Sequence, residues 1–127
     1  MSFTLIDMGT ENYEMQASVW QWKAALEVIK SLDILGEGAV RQMNYAGTGV
    51  KISIDDAHLL AERLRKEILP KLDGGKRIFA DLSITDAKDD MTLHRDGDEQ
   101  WKNYSVSQEW LTEFADFCDR SKGFQVF

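Results

Sequence analysis

The sequence is poor in the residues that fix covalent or backbone geometry, with one cysteine and one proline among its 127 residues. The lone Cys118 cannot form an internal disulfide, and such sparing use of cysteine is typical of a reducing compartment. No apolar run approaches the roughly 20 residues that a helix needs to cross a bilayer. The N-terminus also lacks the basic and long apolar stretches of a signal peptide. We therefore expect a cytoplasmic protein that does not span a membrane.

Basic residues are also in deficit, because 15 Lys and Arg face 22 Asp and Glu and leave a formal net charge of −7. This balance argues against a nucleic-acid partner, since binding phosphates requires a basic face. The chain is 43% hydrophobic, which is enough to build a core. No linker, internal repeat or low-complexity tract divides it. We predict a single domain over residues 1–127.

Two long helices are predicted from apolar residues that recur at helical spacing. The first covers residues 15–32, with Thr10 or Asn12 as its N-cap. The second follows Ser53, whose hydroxyl is a good N-cap. Pro70 is expected to end this second helix, because the residue before a proline disfavours helical backbone.

A third long helix is predicted to begin at Ser105 or Ser107 and to end near Ser121. Gly123 fits the position just after a helix end, where a left-handed backbone is common. A shorter helix is predicted between residues 36 and 46. Together these segments make the chain rich in helix.

Strands are predicted from alternating apolar residues and from the apolar tail at residues 123–127. Alternate positions from Ile78 to Ile84 are apolar and predict one strand, with residues 91–94 as its hairpin partner. Residues 3–6 predict a further strand. The predicted fold class is α+β, a helix-rich single domain with three to four helices and a small antiparallel sheet.

Three local patterns carry a resemblance to other proteins. They are Trp20-Gln21-Trp22, the segment Gly49–Ala57 that leads into a helix, and the ending Phe114–Phe124. In these patterns the chain resembles a group of small, uncharacterised bacterial single-domain proteins with the same overall layout. The resemblance implies a bacterial protein, and it carries over no functional residue, because the shared motifs are caps, a helix stop and aromatic core positions.

The most distinctive chemical feature is the stretch 81–99, where seven acidic residues face only two basic ones. The acidic residues are Asp81, Asp86, Asp89, Asp90, Asp96, Asp98 and Glu99, and the basic ones are Lys88 and Arg95. The stretch therefore carries −5 of the net charge of −7. It is open to three interpretations: a solvated loop, a divalent-cation site, or a surface for a basic protein partner.

The EF-hand pattern can be tested directly on this stretch. With Gly97 at the sixth loop position, Asp96 is the only good ligand among the key positions, and Asn103 stands where the pattern needs Glu. We therefore reject an EF-hand, and no metal ligands and no cofactor are predicted.

The sequence lacks the residue patterns that nucleophilic catalysis and zinc binding require. Cys118 lies on the aromatic face of the third helix beside Phe114 and Phe117, where core packing is the better interpretation. His58 and His94 are the only histidines, and their spacing to Cys118 matches no zinc motif.

Four tryptophans are many for a chain of this size. Trp22 and Trp110 lie on the apolar helical stripes and are predicted core residues. Trp20 and Trp101 lie off these stripes. Either could anchor a partner or a dimer contact, because tryptophan is enriched at binding hot spots, or could simply be exposed.

The leading functional hypothesis is a non-enzymatic protein-interaction or regulatory module, with an immunity- or antitoxin-like protein as its specific version. Its partner would be a basic protein or a second copy of the chain, with no nucleic acid and no membrane. The candidate partner-binding residues are Trp20, Trp101, Asp86, Asp89, Asp90, Asp96, Asp98 and Glu99. One alternative is a carboxylate-dependent or divalent-cation-dependent enzyme, and another is a small-molecule binding domain with an aromatic pocket between the first and last helices.

Overall fold

The chain is described by a computed structural model at residues 2–9, 13–45, 47–88 and 93–127. Within those ranges it forms four α-helices and two small antiparallel sheets, which confirms the α+β class and the short helix expected between residues 36 and 46. The helices are α1 (Val19–Leu32), α2 (Glu37–Met43), α3 (Ile54–Arg63) and α4 (Gln108–Arg120). The strands are β1 (Ser2–Asp7), β2 (Glu14–Ser18), β3 (Val50–Ile52), β4 (Arg77–Phe79), β5 (Ile84–Thr85), β6 (Ser105–Ser107) and β7 (Phe124–Val126).

The first sheet has the strand order β2-β1-β7-β3, and every neighbouring pair is antiparallel. Phe124 of the inner strand β7 lies opposite Asp7 on one side and opposite Ile52 on the other. Burial alternates along β1, as expected for a strand with one face in the core. The strand predicted at residues 3–6 is confirmed, and so is the packing of the apolar tail as a strand.

The second sheet has the strand order β5-β4-β6. The prediction of one strand from Ile78 to Ile84 is wrong, because β4 ends at Phe79 and the chain turns before β5. Leu82 lies in this turn with a left-handed φ of +71°. The alternating apolar residues therefore divide between two paired strands.

Strand β6 is the second neighbour of β4, and Ile78 lies opposite Val106 in their antiparallel register. The hairpin partner predicted at residues 91–94 does not take this place. Residues 91 and 92 lie outside the described residues, and Leu93 and His94 are not in a strand.

Helix α1 begins after Ser18 rather than at Met15, which belongs to β2. Ser18 forms a reciprocal capping box: its hydroxyl accepts a hydrogen bond from the Gln21 backbone N–H at 3.2 Å, and its own backbone N–H donates to the Gln21 side chain at 3.1 Å. Thr10 and Asn12, the predicted caps, lie outside the described residues.

Helix α3 confirms the predicted N-cap, because the Ser53 hydroxyl accepts a hydrogen bond from the Asp56 backbone N–H at 3.2 Å. The predicted end at Pro70 is wrong. Helical backbone continues beyond α3 as a π-helical turn, Leu64–Ile68, and a 3-10 turn, Leu69–Leu72. Pro70 is tolerated because it lies in the first turn of the 3-10 segment, where its missing N–H is not required.

Helix α4 has its N-cap at Ser107, one of the two predicted positions, and the Ser107 hydroxyl accepts a hydrogen bond from the Trp110 backbone N–H at 3.1 Å. The helix ends at Arg120, and Ser121 is extended. Gly123 is therefore not the residue directly after the C-cap. It lies two residues beyond Ser121 with φ of +87°, and there it turns the chain into β7.

An aromatic cluster forms the centre of the core and joins the first sheet to α1 and α4. The ring centroid of Trp22 lies 5.9 Å from that of Phe3 on β1 and 6.1 Å from that of Phe114 on α4. Phe114 in turn contacts Phe124 of β7 at 6.2 Å and stacks on Trp110 at 5.3 Å. The predicted core positions of Trp22 and Trp110 are confirmed.

Candidate functional site

Residues 81–99, which we call the acidic segment, hold most of the candidate binding residues, and the structure describes residues 81–88 and 93–99 of it. The segment runs from the turn between β4 and β5 to the start of a 3-10 turn, Gln100–Asn103. The exposed candidates are Asp86, Asp96 and Asp98, whereas Asp89 and Asp90 lie outside the described residues.

Two further carboxylates of the acidic segment have partners within the chain. The Asp81 carboxylate accepts hydrogen bonds from the Ser83 backbone N–H at 2.9 Å and from the Ser83 hydroxyl at 2.6 Å. The Glu99 carboxylate lies 3.1 Å from the Lys102 ammonium. These two groups stabilise local turns and are less available to a partner.

Asp86, Asp96 and Asp98 have a different environment. The ion pairs formed within the described residues include none of the three. Their charges therefore face solvent, where they can attract a cationic group.

Arg77 of β4 fastens the acidic segment to the outer face of the second sheet. Its guanidinium donates hydrogen bonds to the Ala87 carbonyl and to the Ser105 hydroxyl, both at 2.9 Å. The same group lies 5.1 Å over the Phe79 ring, a distance typical of a cation–π contact. The ring of Trp101 meets Phe79 edge to face at 5.3 Å. Trp101 is thus half-buried, and it links the end of the acidic segment to β4.

The second half of the acidic segment is closed into a loop by hydrogen bonds. The Asn103 side chain accepts one from the His94 backbone N–H at 2.7 Å and donates one to the His94 carbonyl at 2.8 Å. Within this loop the Trp101 indole N–H donates to the Asp98 carbonyl at 3.1 Å. The backbone that carries Asp96 and Asp98 is therefore held on both sides.

Trp20, the other candidate aromatic residue, lies on α1 and is 43% exposed. Its ring contacts Tyr104 at a centroid distance of 5.2 Å. Tyr104 also lines a cleft of about 700 Å³ between α1 and α2, whose apolar floor includes Leu26 and Leu35. Trp20 therefore contacts a residue that lines the cleft but is not itself part of the lining.

The rim of the cleft carries charged side chains of both signs. The basic ones are Lys23, Lys30 and Arg41, and the acidic ones are Glu27, Asp33 and Glu37. Lys23 donates a hydrogen bond to the Asn44 carbonyl at 3.2 Å, so it joins α1 to the end of α2. The sequence predicts that Trp20 and Lys23 share a face of α1, because they are three residues apart in a helix. It does not predict that this part of α1 lies next to α2.

An apolar groove of about 290 Å³ lies beside β5, and sequence reasoning missed it. We define the edge groove by its five apolar lining residues, which are Leu32, Ile68, Ile78, Leu82 and Ile84. The last three belong to the alternating pattern from which one continuous strand was predicted. The turn within that pattern exposes two of them, at the edge of the sheet.

The remaining residues with reactive side chains, Cys118 and His58, differ in their exposure to solvent. Cys118 is fully buried, and this desolvation raises the pKa of its thiol far above the ordinary range. His58 is exposed on α3, in a shallow depression that also contains Glu62 and Asp119. Among the described residues, no three His, Cys, Asp or Glu side chains are grouped so that they could hold a metal ion.

No protein family, curated protein or solved structure matches the chain in the three comparisons. None of the helices formed by the described residues combines the length and apolar character that crossing a bilayer requires.

Proposed function

We propose that this protein is a non-enzymatic interaction module that binds a basic protein partner through the acidic segment. The observation that carries the proposal is the presentation of Asp86, Asp96 and Asp98. These carboxylates are exposed and unpaired within the described residues, on backbone that Arg77 and Trp101 fasten to the second sheet. An immunity- or antitoxin-like role, in which the segment covers a basic toxin, is the specific version of the proposal.

A fastened acidic surface suits a basic partner for two physical reasons. A surface of one charge sign speeds encounter with a surface of the opposite sign. In addition, a segment that is ordered before binding loses less conformational entropy on association. Glu99 and Trp101 then serve mainly to position the loop, and Asp86, Asp96 and Asp98 supply the contacts.

We also propose where the protein acts and which class of partner it binds. A cytoplasmic location is supported by the single cysteine, which is buried and free, because reducing compartments are where proteins do without disulfides. The formal charge of −5 on the acidic segment disfavours nucleic acid as the partner of this surface. Self-association of the chain is the competing choice of partner, and the experiment below separates it from a basic protein.

The test compares capture of partners from a bacterial lysate by two immobilised triple variants. In the first, Asp86, Asp96 and Asp98 are all changed to Asn, which removes the charge and keeps the shape. In the matched control, Glu14, Glu62 and Glu113, which are exposed on other elements, are all changed to Gln. We expect the unmodified protein and the control to retain one stoichiometric protein of high isoelectric point, and the Asp variant to lose it.

Two results would count against the proposal. One is capture of the same protein by the Asp variant and the control alike. The other is the absence of any stoichiometric partner together with a mass in light scattering that stays monomeric at all concentrations. A concentration-dependent dimer with no captured protein would instead identify a second copy of the chain as the partner.

The cleft between α1 and α2 favours a second candidate function, the binding of a small amphipathic molecule. It is not the aromatic pocket predicted between the first and last helices, where Trp22, Trp110 and Phe114 pack on one another. Its volume of about 700 Å³ is within the range of ligand pockets, and it combines an apolar floor with charges of both signs. A thermal-shift screen with aromatic amino acids and related zwitterions tests this function. Stabilisation that disappears in Tyr104→Ala, which removes a ring that lines the cleft, would support it, and a screen without any shift would remove it.

A carboxylate-dependent enzyme has weaker support. General acid and base catalysis by carboxylates requires environments that separate their pKa values, usually by excluding water. Asp86, Asp96 and Asp98 lie in solvent rather than in an enclosed cavity. A binding role is therefore the better use of these groups.

A further inference from the structure

We infer that the edge groove receives an apolar side chain of the basic partner, whose backbone extends along the open edge of β5. This inference rests on the proposed function and adds the binding mode to it. The partner segment would be an extended stretch with a central aliphatic residue and basic residues on both sides of it.

The groove has the form of a side-chain pocket. Its floor is made by Leu32, Ile68 and Ile78, which are buried, and its mouth by Leu82 and Ile84, which are 41% and 39% exposed. Its volume of about 290 Å³ is at the lower end of the range for ligand pockets, a size that suits a single side chain. Covering the two exposed residues would remove their apolar surface from water.

In the part of the chain that the structure describes, no strand pairs with one side of the backbone beside the groove. Within the described residues β5 has one neighbouring strand, β4, so its other side is an edge of the sheet. The Phe79 N–H donates to the Ser83 carbonyl at 2.8 Å, and Ile84 lies opposite Ile78. Because hydrogen-bonded and non-hydrogen-bonded pairs alternate in an antiparallel ladder, the N–H and C=O groups of Ile84 point away from β4. An extended segment could bond to them, as in strand addition at a sheet edge.

Leu82 is an independent sign that this edge has a role beyond folding. It is the last residue of the three-residue loop between Phe79 and Ser83, and its φ of +71° is left-handed. This position favours Gly, and Asn tolerates it, whereas a bulky side chain there is a conformational outlier. The sequence thus keeps a strained leucine whose side chain is largely exposed beside a pocket. Such strain is often retained where the side chain has a function.

Charge decides between a basic partner and a second copy of the chain at this edge. The charged side chains that line the groove itself, Glu67 and Lys71, balance each other. The net charge near the groove comes from the acidic segment, which begins in the turn before β5, continues past it and carries a formal charge of −5 over residues 81–99. Two copies that met through β5 would bring two such segments together, and their like charges would oppose association. Lys or Arg residues that flank a central aliphatic residue would instead face the exposed Asp86.

The test uses a labelled peptide, acetyl-Lys-Lys-Val-Leu-Val-Lys-Lys-amide, and a second peptide of equal charge with three central serines. Binding is measured by fluorescence anisotropy at low salt. We expect the aliphatic peptide to bind at least about tenfold more tightly than the serine peptide, because only it fills the groove. N-methylation of the central leucine should weaken binding by removing its backbone donor.

The decisive variant is Leu82→Asn, because Asn tolerates the left-handed backbone while it removes the apolar contact. We expect this variant to melt at a higher temperature than the unmodified protein and to bind the aliphatic peptide about tenfold more weakly. Leu59→Gln, which changes an exposed leucine on α3, is the matched control and should leave binding unchanged.

The inference is overturned if Leu82→Asn binds the aliphatic peptide as tightly as the unmodified protein does. It is also overturned if the two peptides bind equally, or if neither binds. These results leave the proposed function standing as long as the lysate partner still depends on Asp86, Asp96 and Asp98. If instead the lysate partner no longer depends on these three residues while the aliphatic peptide still binds more tightly than the serine peptide, the acidic surface is not the recognition site.

Discussion

The indole N–H of Trp22 donates a hydrogen bond to the Met43 carbonyl at 2.8 Å, and both residues are fully buried. This bond connects α1 to the last turn of α2, where backbone carbonyls have no partner within the helix. It is therefore the buried polar link between the two walls of the cleft, and it fixes α2 from its C-terminal end.

Replacing Trp22 by Phe should cost about 2–4 kcal/mol of unfolding free energy, because it leaves the Met43 carbonyl buried without its donor and removes core volume. Urea denaturation measures the loss. Trp110→Phe is the matched control, since the buried Trp110 indole N–H has no hydrogen-bond partner among the described residues. Its loss should be smaller by about 1 kcal/mol or more. Equal losses for the two variants would contradict this role of the hydrogen bond.

Gly123→Ala should be far more damaging than Gly74→Ala, although both glycines have nearly the same left-handed φ, +87° and +89°. A Cβ on Gly123 would lie 2.7 Å from the Ile52 carbonyl oxygen, whereas one on Gly74 would meet nothing within 4 Å. We expect about 1–2 kcal/mol for Gly74→Ala and about 3 kcal/mol or more for Gly123→Ala. Thermal and urea unfolding of both variants test the difference, and similar values would refute the close approach of Gly123 to β3.

Stability should decrease in mildly alkaline solution because of Cys118. Burial raises the pKa of this thiol, Arg65 opposes the rise and Asp119 adds to it. An unfolded thiol ionises near pH 8.5, so above that pH the unfolded state loses a proton that the folded state keeps. The stabilisation that comes from the raised pKa of Cys118 is fully present below about pH 8.5. Above that pH the unfolding free energy should fall by up to about 1.4 kcal/mol per pH unit. Urea titrations between about pH 7.5 and 9.5 should show this fall, and Cys118→Ala should lack it.

Phe114→Ala should cost about 3–5 kcal/mol, since the ring is fully buried among Trp22, Trp110 and Phe124. Phe127→Ala is the comparison, because Phe127 is partly exposed beside β3 and should lose clearly less. A loss below about 1 kcal/mol for Phe114→Ala would be incompatible with its place at the centre of the core.

Arg77→Gln should loosen the acidic segment without unfolding the domain, because it removes the guanidinium contacts to Ala87, Ser105 and Phe79. Hydrogen exchange followed by mass spectrometry should show faster exchange in peptides that cover residues 84–88, with α4 unchanged. Arg95→Gln, an exposed position in the same segment, serves as the control and should leave the exchange as it is. Unchanged exchange in Arg77→Gln would mean that other contacts hold the segment.

Local signals in the sequence predicted much of the fold. The caps at Ser53 and Ser107 depend on one hydroxyl and a backbone N–H three residues later, so they can be seen in a short stretch of sequence. Residues 15–18 were predicted as the start of the first helix, and the sequence does not show their pairing with β1, which makes them a strand. The turn at Leu82 was not predicted, because leucine is not a residue that signals a left-handed loop.

The candidate site was predicted less completely than the fold. Charge counting located the acidic segment, because charge is a property of the sequence alone. The contacts that fasten it are long-range, however, and bring Arg77 to Ser105 and Phe79 to Trp101 across the second sheet. The edge groove is likewise assembled from α1, the π-helical turn and two strands, so no single stretch of sequence contains its signal.

The position of β7 inside the first sheet has a consequence for how the protein is made. β7, which separates β1 from β3 in the sheet, is made more than a hundred residues after β1. Until residues 124–126 have emerged, the edges of β1 and β3 that face β7 have no strand to pair with. Completion of the first sheet must therefore wait until β7 has been made, and until then the nascent chain carries unpaired strand edges that a chaperone could shield.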